Sequence, residues 1–338
     1  MDNWVLKGPK MLENQPLGEA VIAASQVKVR VTHVLLSYYD ALSYAGETKV
    51  AYPKTIGRIA IGIVTETGEG CYGVNKGSRV YLNAVRPCGK CYACKSGNKG
   101  DCTSPRVAGK DFDGFLRDFV VCDYSEVTVL PDSVDDMLAL CIENVALAEN
   151  IYDKLNLSTG SRVAIVGAGF LGSILAQIAL YHKLVPIVID NYTENVERLQ
   201  QSGVFFTFAA DDNLKANIEN ATSGNMCDAA VYTSNCKLKP SVPASVLAHN
   251  KDMILGGFST VNFSLDTAPL FEKSLRIYSV CDGFGYTETA INMLVHGALD
   301  LSHFKKEILK DFDPVQLLSG LAEKTTLDSK MTVLKLIL

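Results

Sequence analysis

Nothing in this 338-residue chain gathers positive charge: no run of lysine or arginine occurs, and the formal net charge is −5. Nucleic-acid binders more often carry a basic face, so no nucleic-acid partner is expected. The opening Met1-Asp2-Asn3-Trp4 lacks a basic region followed by an apolar stretch, so no secretory leader is expected. The most apolar window, Val163 to Leu180, has membrane-span length. Gly167, Gly169 and Gly172 interrupt it at a spacing with a better use, and no membrane span is expected. Histidine is scarce, and His182, His249, His296 and His303 show no ligand spacing. His33 lies in a predicted strand and reads as a core or surface residue. Of ten cysteines, Cys71, Cys122, Cys141, Cys227, Cys236 and Cys281 are scattered. That excludes a secreted disulfide framework and implies buried thiols in a reducing, cytoplasmic setting.

What is present is a globular composition, 48% apolar and 20% charged, which argues against disorder. The length suits two domains. Up to about residue 150 the chain reads as short strands between Gly and Pro turns: Val27–Val34, Ile59–Thr65, Arg79–Ala84, Phe115–Val121 and Val127–Leu130. That texture suggests a barrel-like β domain. The texture then changes. Arg162–Val166 is a continuous apolar run, as in a parallel strand buried on both faces. Helical stretches at Gly169–His182 and Asn195–Gln201 alternate with strands at Val185–Ile189, Gly203–Phe208, Asp228–Tyr232 and Met253–Leu255. Such alternation predicts a doubly wound α/β domain with a parallel sheet. Glu288–His296 and Pro314–Thr325 look helical, and Lys330–Leu338 reads as a strand able to return to the first domain.

Two motifs carry chemistry. In Arg162-Val-Ala-Ile-Val-Gly167-Ala-Gly169-Phe170-Leu171-Gly172 a strand runs through G-x-G-x-x-G into a helix. Gly167 permits the tight turn, Gly169 lets backbone N–H groups approach a pyrophosphate, and Gly172 lets helix and strand pack closely. The helix N-terminus adds N–H donors and partial positive charge. The next strand ends in Asp190, about 20 residues on, where a carboxylate can accept from ribose hydroxyls and would repel a 2′-phosphate. NAD(H) is therefore favoured over NADP. The second motif, Cys88-x2-Cys91-x2-Cys94-x7-Cys102, offers four thiolates in one loop. Four thiolates close a tetrahedral zinc, leaving no position for substrate, so one structural Zn2+ is expected.

The chain resembles the zinc-containing medium-chain dehydrogenase/reductase family, the alcohol, polyol and threonine dehydrogenase group. The cysteine lobe is the most specific match. Asp113-Gly-Phe115, Phe119-Val-Val121, Val129-Leu-Pro-Asp132 and Gly167–Gly172 add to it. The resemblance implies a GroES-like substrate domain with the zinc lobe at 88–102 (residues 1–148), a Rossmann domain (149–290) and a segment (291–338) returning to the first domain. It also implies a homodimer or homotetramer, paired through an edge strand near Leu275–Val280.

The chain departs from that family where the catalytic zinc belongs. Ser37 stands where the family has a ligand cysteine, Arg58 where it has a histidine, and Ile59 where an acid follows. Only Glu143 matches a third ligand. Serine is a poor ligand beside a thiolate, and arginine has no lone pair to give and stays protonated. No catalytic zinc is expected. The family's proton relay also looks lost, with Tyr39 and Leu42 in its positions. Arg58 can supply fixed positive charge, with Glu143 as its partner and Tyr38 or Tyr39 as a general acid whose phenol the cation makes more acidic. Equally, Arg58 and Glu143 can be an ion pair that only fills the vacated site. Three functions follow: a zinc-independent NAD(H) oxidoreductase on a small polar metabolite, a zinc-dependent alcohol or polyol dehydrogenase with an atypical site, or a catalytically silent NAD(H)-binding sensor or assembly protein. Tyr38, Tyr39, Arg58, Asn83, Glu143 and Cys281 are candidate pocket liners.

Overall fold

The structure is a computed structural model that describes residues 2–18, 20–233, 236, 238–257, 264–323 and 330–336. The chain divides into two compact units: Met1–Glu143 with Lys306–Lys324 and Met331–Leu338, and Asn144–Lys305 with Thr325–Lys330.

The first unit is built from strands β1 (Asp2–Gly8), β2 (Met11–Pro16), β3 (Gln26–Leu36), β4 (Lys54–Thr55), β5 (Ile59–Thr67), β6 (Arg79–Leu82), β7 (Val85–Arg86), β8 (Arg106–Val107), β9 (Phe119–Asp123) and β10 (Val127–Val129). The long strand β3 organises it. Val27, Val29 and Val31 alternate into the core while Lys28, Arg30 and Thr32 face the other side, the period-two pattern of a half-buried strand. Along one edge β3 pairs with β5. Along the other, Gln26–Arg30 pairs with β9 and His33–Leu36 with a strand from far along the chain. The core holds Leu6, Val34, Ile56, Phe115 and Leu116 among others. Phe115 and Leu116, predicted to open a strand Phe115–Val121, lie before the observed strand, which begins only at Phe119. Their N–H groups donate instead to the carbonyls of Gly57 and Ile56.

The second unit carries β11 (Arg162–Val166), β12 (Val185–Ile189), β13 (Phe206–Phe208), β14 (Cys227–Thr233), β15 (Leu247–Gly256) and β16 (Arg276–Val280). They form one parallel sheet in the order β13-β12-β11-β14-β15-β16. β11 is central and Val163–Val166 are fully buried, as a strand covered on both faces requires. The edge at β16 lies over the predicted Leu275–Val280. Helices Phe170–Tyr181, Thr193–Gln201 and Leu214–Ala221 separate successive strands. Among the described residues no helix is long and apolar enough to cross a membrane.

β17 (Lys306–Leu309), the helix Pro314–Ala322 and β18 (Met331–Lys335) belong to the first unit. β18 lies between β17, which it meets in parallel, and β3, which it meets antiparallel. The division differs from the sequence-based one of 1–148, 149–290 and 291–338. The break falls at Glu143, and residues 291–305 stay with the second unit. Gln177 holds them there, its amide bonding both the N–H and the carbonyl of Asp300. Lys324, Thr325, Ile337 and Leu338, included in the predicted terminal helix and strand, lie outside the described residues.

Candidate functional site

In the first unit β3 ends at Leu36 and Ser37 caps the helix Tyr38–Ala45. Its hydroxyl donates to Asp40 Oδ2 (2.6 Å), and its N–H donates to the same oxygen (2.9 Å). Asp40 Oδ1 accepts from the N–H of Gly57 (3.0 Å), the residue before Arg58. The buried Asp40 thus fastens the helix start to the turn that carries Arg58. Burial raises the Asp40 carboxyl, opposed by these hydrogen bonds and by the nearby Arg58 charge. Asp40 was missed at the sequence level, although Ser37-x-x-Asp40 is a capping-box spacing.

Arg58 and Glu143 are each only 8% exposed, and Arg58 Nη2 donates to Glu143 Oε1 at 2.6 Å. Tyr81, fully buried on β6, donates to the other carboxylate oxygen at 3.4 Å. The Arg58 guanidinium lies over the Tyr39 ring, 5.7 Å from its centroid. The structure therefore gathers Arg58, Glu143 and Tyr39, adds Tyr81, and ties Ser37 in through Asp40. It overturns the expectation of an acidified phenol. Burial raises Tyr39 to about 12, outweighing the opposing effect of Arg58, and burial raises Tyr38 as well. Both stay protonated near neutrality and so retain a proton to donate. The donor set does not suit a metal: Ser37 is committed to Asp40, and a guanidinium beside a dication repels it. Of the other proposed liners, Asn83 accepts from the Thr128 hydroxyl (2.9 Å), and Cys281, in the second unit, is exposed.

The cysteine lobe does suit a soft cation. The sulfurs of Cys88, Cys91, Cys94 and Cys102 lie within 4.8 Å of one another, with Cys88–Cys94 at 4.0 Å and Cys91–Cys102 at 3.9 Å. Four sulfurs about 2.3 Å from a tetrahedral zinc would stand about 3.8 Å apart. The N–H of Cys91 donates to Cys88 Sγ (3.3 Å) and that of Cys88 to Cys102 Sγ (3.2 Å), bonds that favour thiolates. Backbone N–H groups draw Cys91 down to about 6.

In the second unit Gly167 has φ 101°, a left-handed turn conformation that favours glycine. A Cβ on Gly172 would stand 1.9 Å from the Gly167 carbonyl oxygen, so the helix Phe170–Tyr181 packs against the loop only because that atom is absent. Gly169 is the helix N-cap, and Phe170 and Leu171 open its first turn. Asp190, at the end of β12, accepts from the N–H of Ala168 (2.6 Å) and of Tyr192 (2.8 Å). It holds the loop through these two bonds. Arg198, which the sequence reading did not single out, donates to the Ala168 carbonyl (3.1 Å) and to Ser173 Oγ (2.8 Å). The arrangement is a rigid backbone cradle at a helix N-terminus with a carboxylate beside it, which fits a dinucleotide pyrophosphate and ribose.

Residues 23–132 match the alcohol dehydrogenase GroES-like domain. An uncharacterized zinc-type alcohol dehydrogenase-like protein of Haemophilus influenzae is 25% identical over 303 residues, 88% of each chain. The chain is similar to zinc-type medium-chain dehydrogenases/reductases along most of its length. The sorbitol dehydrogenase of Halalkalibacterium halodurans is 28% identical over 224 residues, 65% of this chain and 64% of that one. A crystal structure of a short chain alcohol dehydrogenase, rspB, from E. coli CFT073 complexed with NADH superposes with TM-score 0.84 over 99% of both chains at 22% identity. The family's architecture, a GroES-like domain with a Rossmann domain, is that of this chain. The sorbitol dehydrogenase and the NADH-bound alcohol dehydrogenase are oxidoreductases of the alcohol and polyol type.

Proposed function

We propose that the chain is an NAD(H)-dependent oxidoreductase that moves a hydride to or from a small polar metabolite without a catalytic zinc. The observation that carries this reading is the buried Arg58–Glu143 contact at 2.6 Å, in the region where a catalytic ion would need lone pairs. The dinucleotide, when bound, supplies or accepts the hydride. Gly167, Gly169, Phe170, Leu171 and Gly172 form its phosphate cradle, and Asp190 accepts from its ribose. Arg58 holds positive charge beside the reacting oxygen, the task a Lewis acid performs in zinc enzymes. Glu143 and Tyr81 fix the guanidinium in position. Tyr39, protonated throughout the neutral range, donates a hydrogen bond to the same oxygen. Ser37 sets the start of the helix that bears Tyr39. Cys88, Cys91, Cys94 and Cys102 hold one structural zinc, and the β16 edge pairs with a second copy. A substrate whose electrophile is already activated, such as an iminium or an enone, suits this chemistry best because it asks least of a cation.

The test combines metal analysis of the purified protein with a substrate panel of aldehydes, ketones, polyols, imines and enones followed by nicotinamide absorbance. One zinc per chain with turnover on a panel member is the expected result. Two zincs per chain would refute the zinc-independent site. Tight NADH binding with no turnover on any member would refute the enzyme itself.

A further inference from the structure

A cavity of about 330 Å³ opens in the first unit, and neither Arg58 nor Glu143 lines it. That volume lies at the lower end of small-molecule sites. It forms on the sheet face opposite the valine stripe of β3. Arg30 of β3 stands beside Ile63 of β5, which stands beside Arg79 of β6, and Lys335 of β18 pairs with His33 on the other flank. The β3–β5 ladder shifts register between Val31 and His33, so that the chain bulges at Thr32. Gly62, opposite the bulge, has room for no side chain: a Cβ there would stand 2.4 Å from the Arg30 carbonyl oxygen.

The charges lining this cavity do not balance. Arg30, Arg79 and Lys335 face a single carboxylate, Asp136. That carboxylate is already taken: Arg79 Nη2 donates to Asp136 Oδ1 at 2.7 Å, and also to the Val134 carbonyl at 2.9 Å. His33 Nδ1 lies 3.7 Å from the same side chain and 3.2 Å from Thr32 Oγ1. Burial keeps the His33 ring below its ordinary pKa, so it adds no further cation near neutrality. Among the described residues Arg30 and Lys335 form no ion pair, and Arg30 Nε is buried without a hydrogen-bond partner. That nitrogen has lost water and gained no acceptor. Ile61, Ile63 and Leu130 supply apolar wall between the cations.

We propose that this cavity binds a small organic anion, a carboxylate on a short aliphatic body, with Arg30 and Lys335 gripping the head group and the isoleucines covering the tail. A carboxylate is planar and matches the guanidinium fork, and each such charge-assisted bond is stronger than a neutral one. None of Arg58, Glu143, Tyr39 and Tyr81 lines this cavity, so the proposal does not depend on the redox reading.

The test is calorimetry of the full-length protein with sodium hexanoate, hexan-1-ol and inorganic phosphate at low salt, together with NMR of the His33 ring. Hexanoate is expected to bind saturably at one per chain and to shift the His33 resonances, with hexan-1-ol binding at least tenfold more weakly. R30Q/K335Q is expected to weaken hexanoate at least tenfold while keeping the wild-type circular dichroism. Competition by phosphate would support recognition of the charged head. Absence of saturable hexanoate binding overturns the proposal. So does equal binding of hexan-1-ol, or undiminished binding by R30Q/K335Q. If the double variant misfolds, R30Q alone with the hexanol comparison still decides.

Discussion

Glu143→Gln leaves the Arg58 guanidinium buried with its carboxylate partner neutralised, and its consequence can be sized. Both side chains are about nine-tenths buried and meet at 2.6 Å, so solvent screens the contact little. Unit charges about 4 Å apart at an effective dielectric of about 20 attract by about 4 kcal/mol. Removing one partner of such a pair costs about 3–5 kcal/mol, because the remaining charge has lost its water without compensation. Arg58→Met should cost a similar amount. R58M/E143L, which replaces both with apolar groups of similar bulk, should return to within about 2 kcal/mol of the parent, since each charge also paid for desolvation. The sole tryptophan, Trp4, lies on β1 of the same unit, so its emission reports urea unfolding of that unit. A loss below about 1 kcal/mol in either single variant would refute the description of this contact as a buried ion pair. The double variant also separates folding from chemistry. If it folds and its turnover falls by about 10²–10³, the size typical of removing one electrostatic donor, Arg58 is catalytic. Undiminished turnover would leave the pair a structural filler.

Gly172→Ala should abolish NADH binding measured by nicotinamide fluorescence, since the added carbon would meet the Gly167 carbonyl oxygen at 1.9 Å; wild-type affinity would contradict the close helix–loop approach. Cys94→Ser should lower zinc content from one per chain and lower the melting temperature, and retention of a full equivalent would contradict the four-sulfur site. The two histidines with shifted titrations should move in opposite directions. Glu149, 2.7 Å from His182 Nε2, raises that ring above 6.5, so its contribution to stability is full below pH 6.5 and fades as pH rises through the raised midpoint. Burial lowers His33, so its contribution holds above pH 6.5 and fades as pH falls through the lowered midpoint. Ring-proton NMR titrations, assigned with His182→Gln and His33→Gln, check the signs; midpoints on the same side of 6.5 would refute them.

Local pattern made much of the fold legible. β3 alternates residue by residue, and β11 is a bare apolar run before a glycine loop, so period and spacing identify both. The cysteine spacing identifies its own cluster for the same reason. Other features needed information that no window contains. Arg58 and Glu143 are 85 residues apart, and only resemblance to a family with three ligands suggested looking at them together. Tyr81 carried no motif at all; its place comes from the pairing of β5 with β6. The helix Ile142–Leu155 went unread. The Tyr39 error is instructive in sign. The sequence supplied the cation beside the ring, but the larger effect is burial of the phenol, which depends on the packed structure.

The position of β18 has a consequence for how this chain is made. It follows every other described element in sequence, yet it completes the sheet beside β3, near the start. During synthesis the emerging β3 must wait with one flank uncovered while nearly the whole second unit is translated. The second unit, contiguous from Asn144 to Lys305 apart from a short returning piece, has no such wait. The second unit is therefore expected to mature ahead of the amino-terminal one, against the usual order. Until β18 arrives, His33–Leu36 presents an open strand edge to any chaperone or neighbouring chain that can use it.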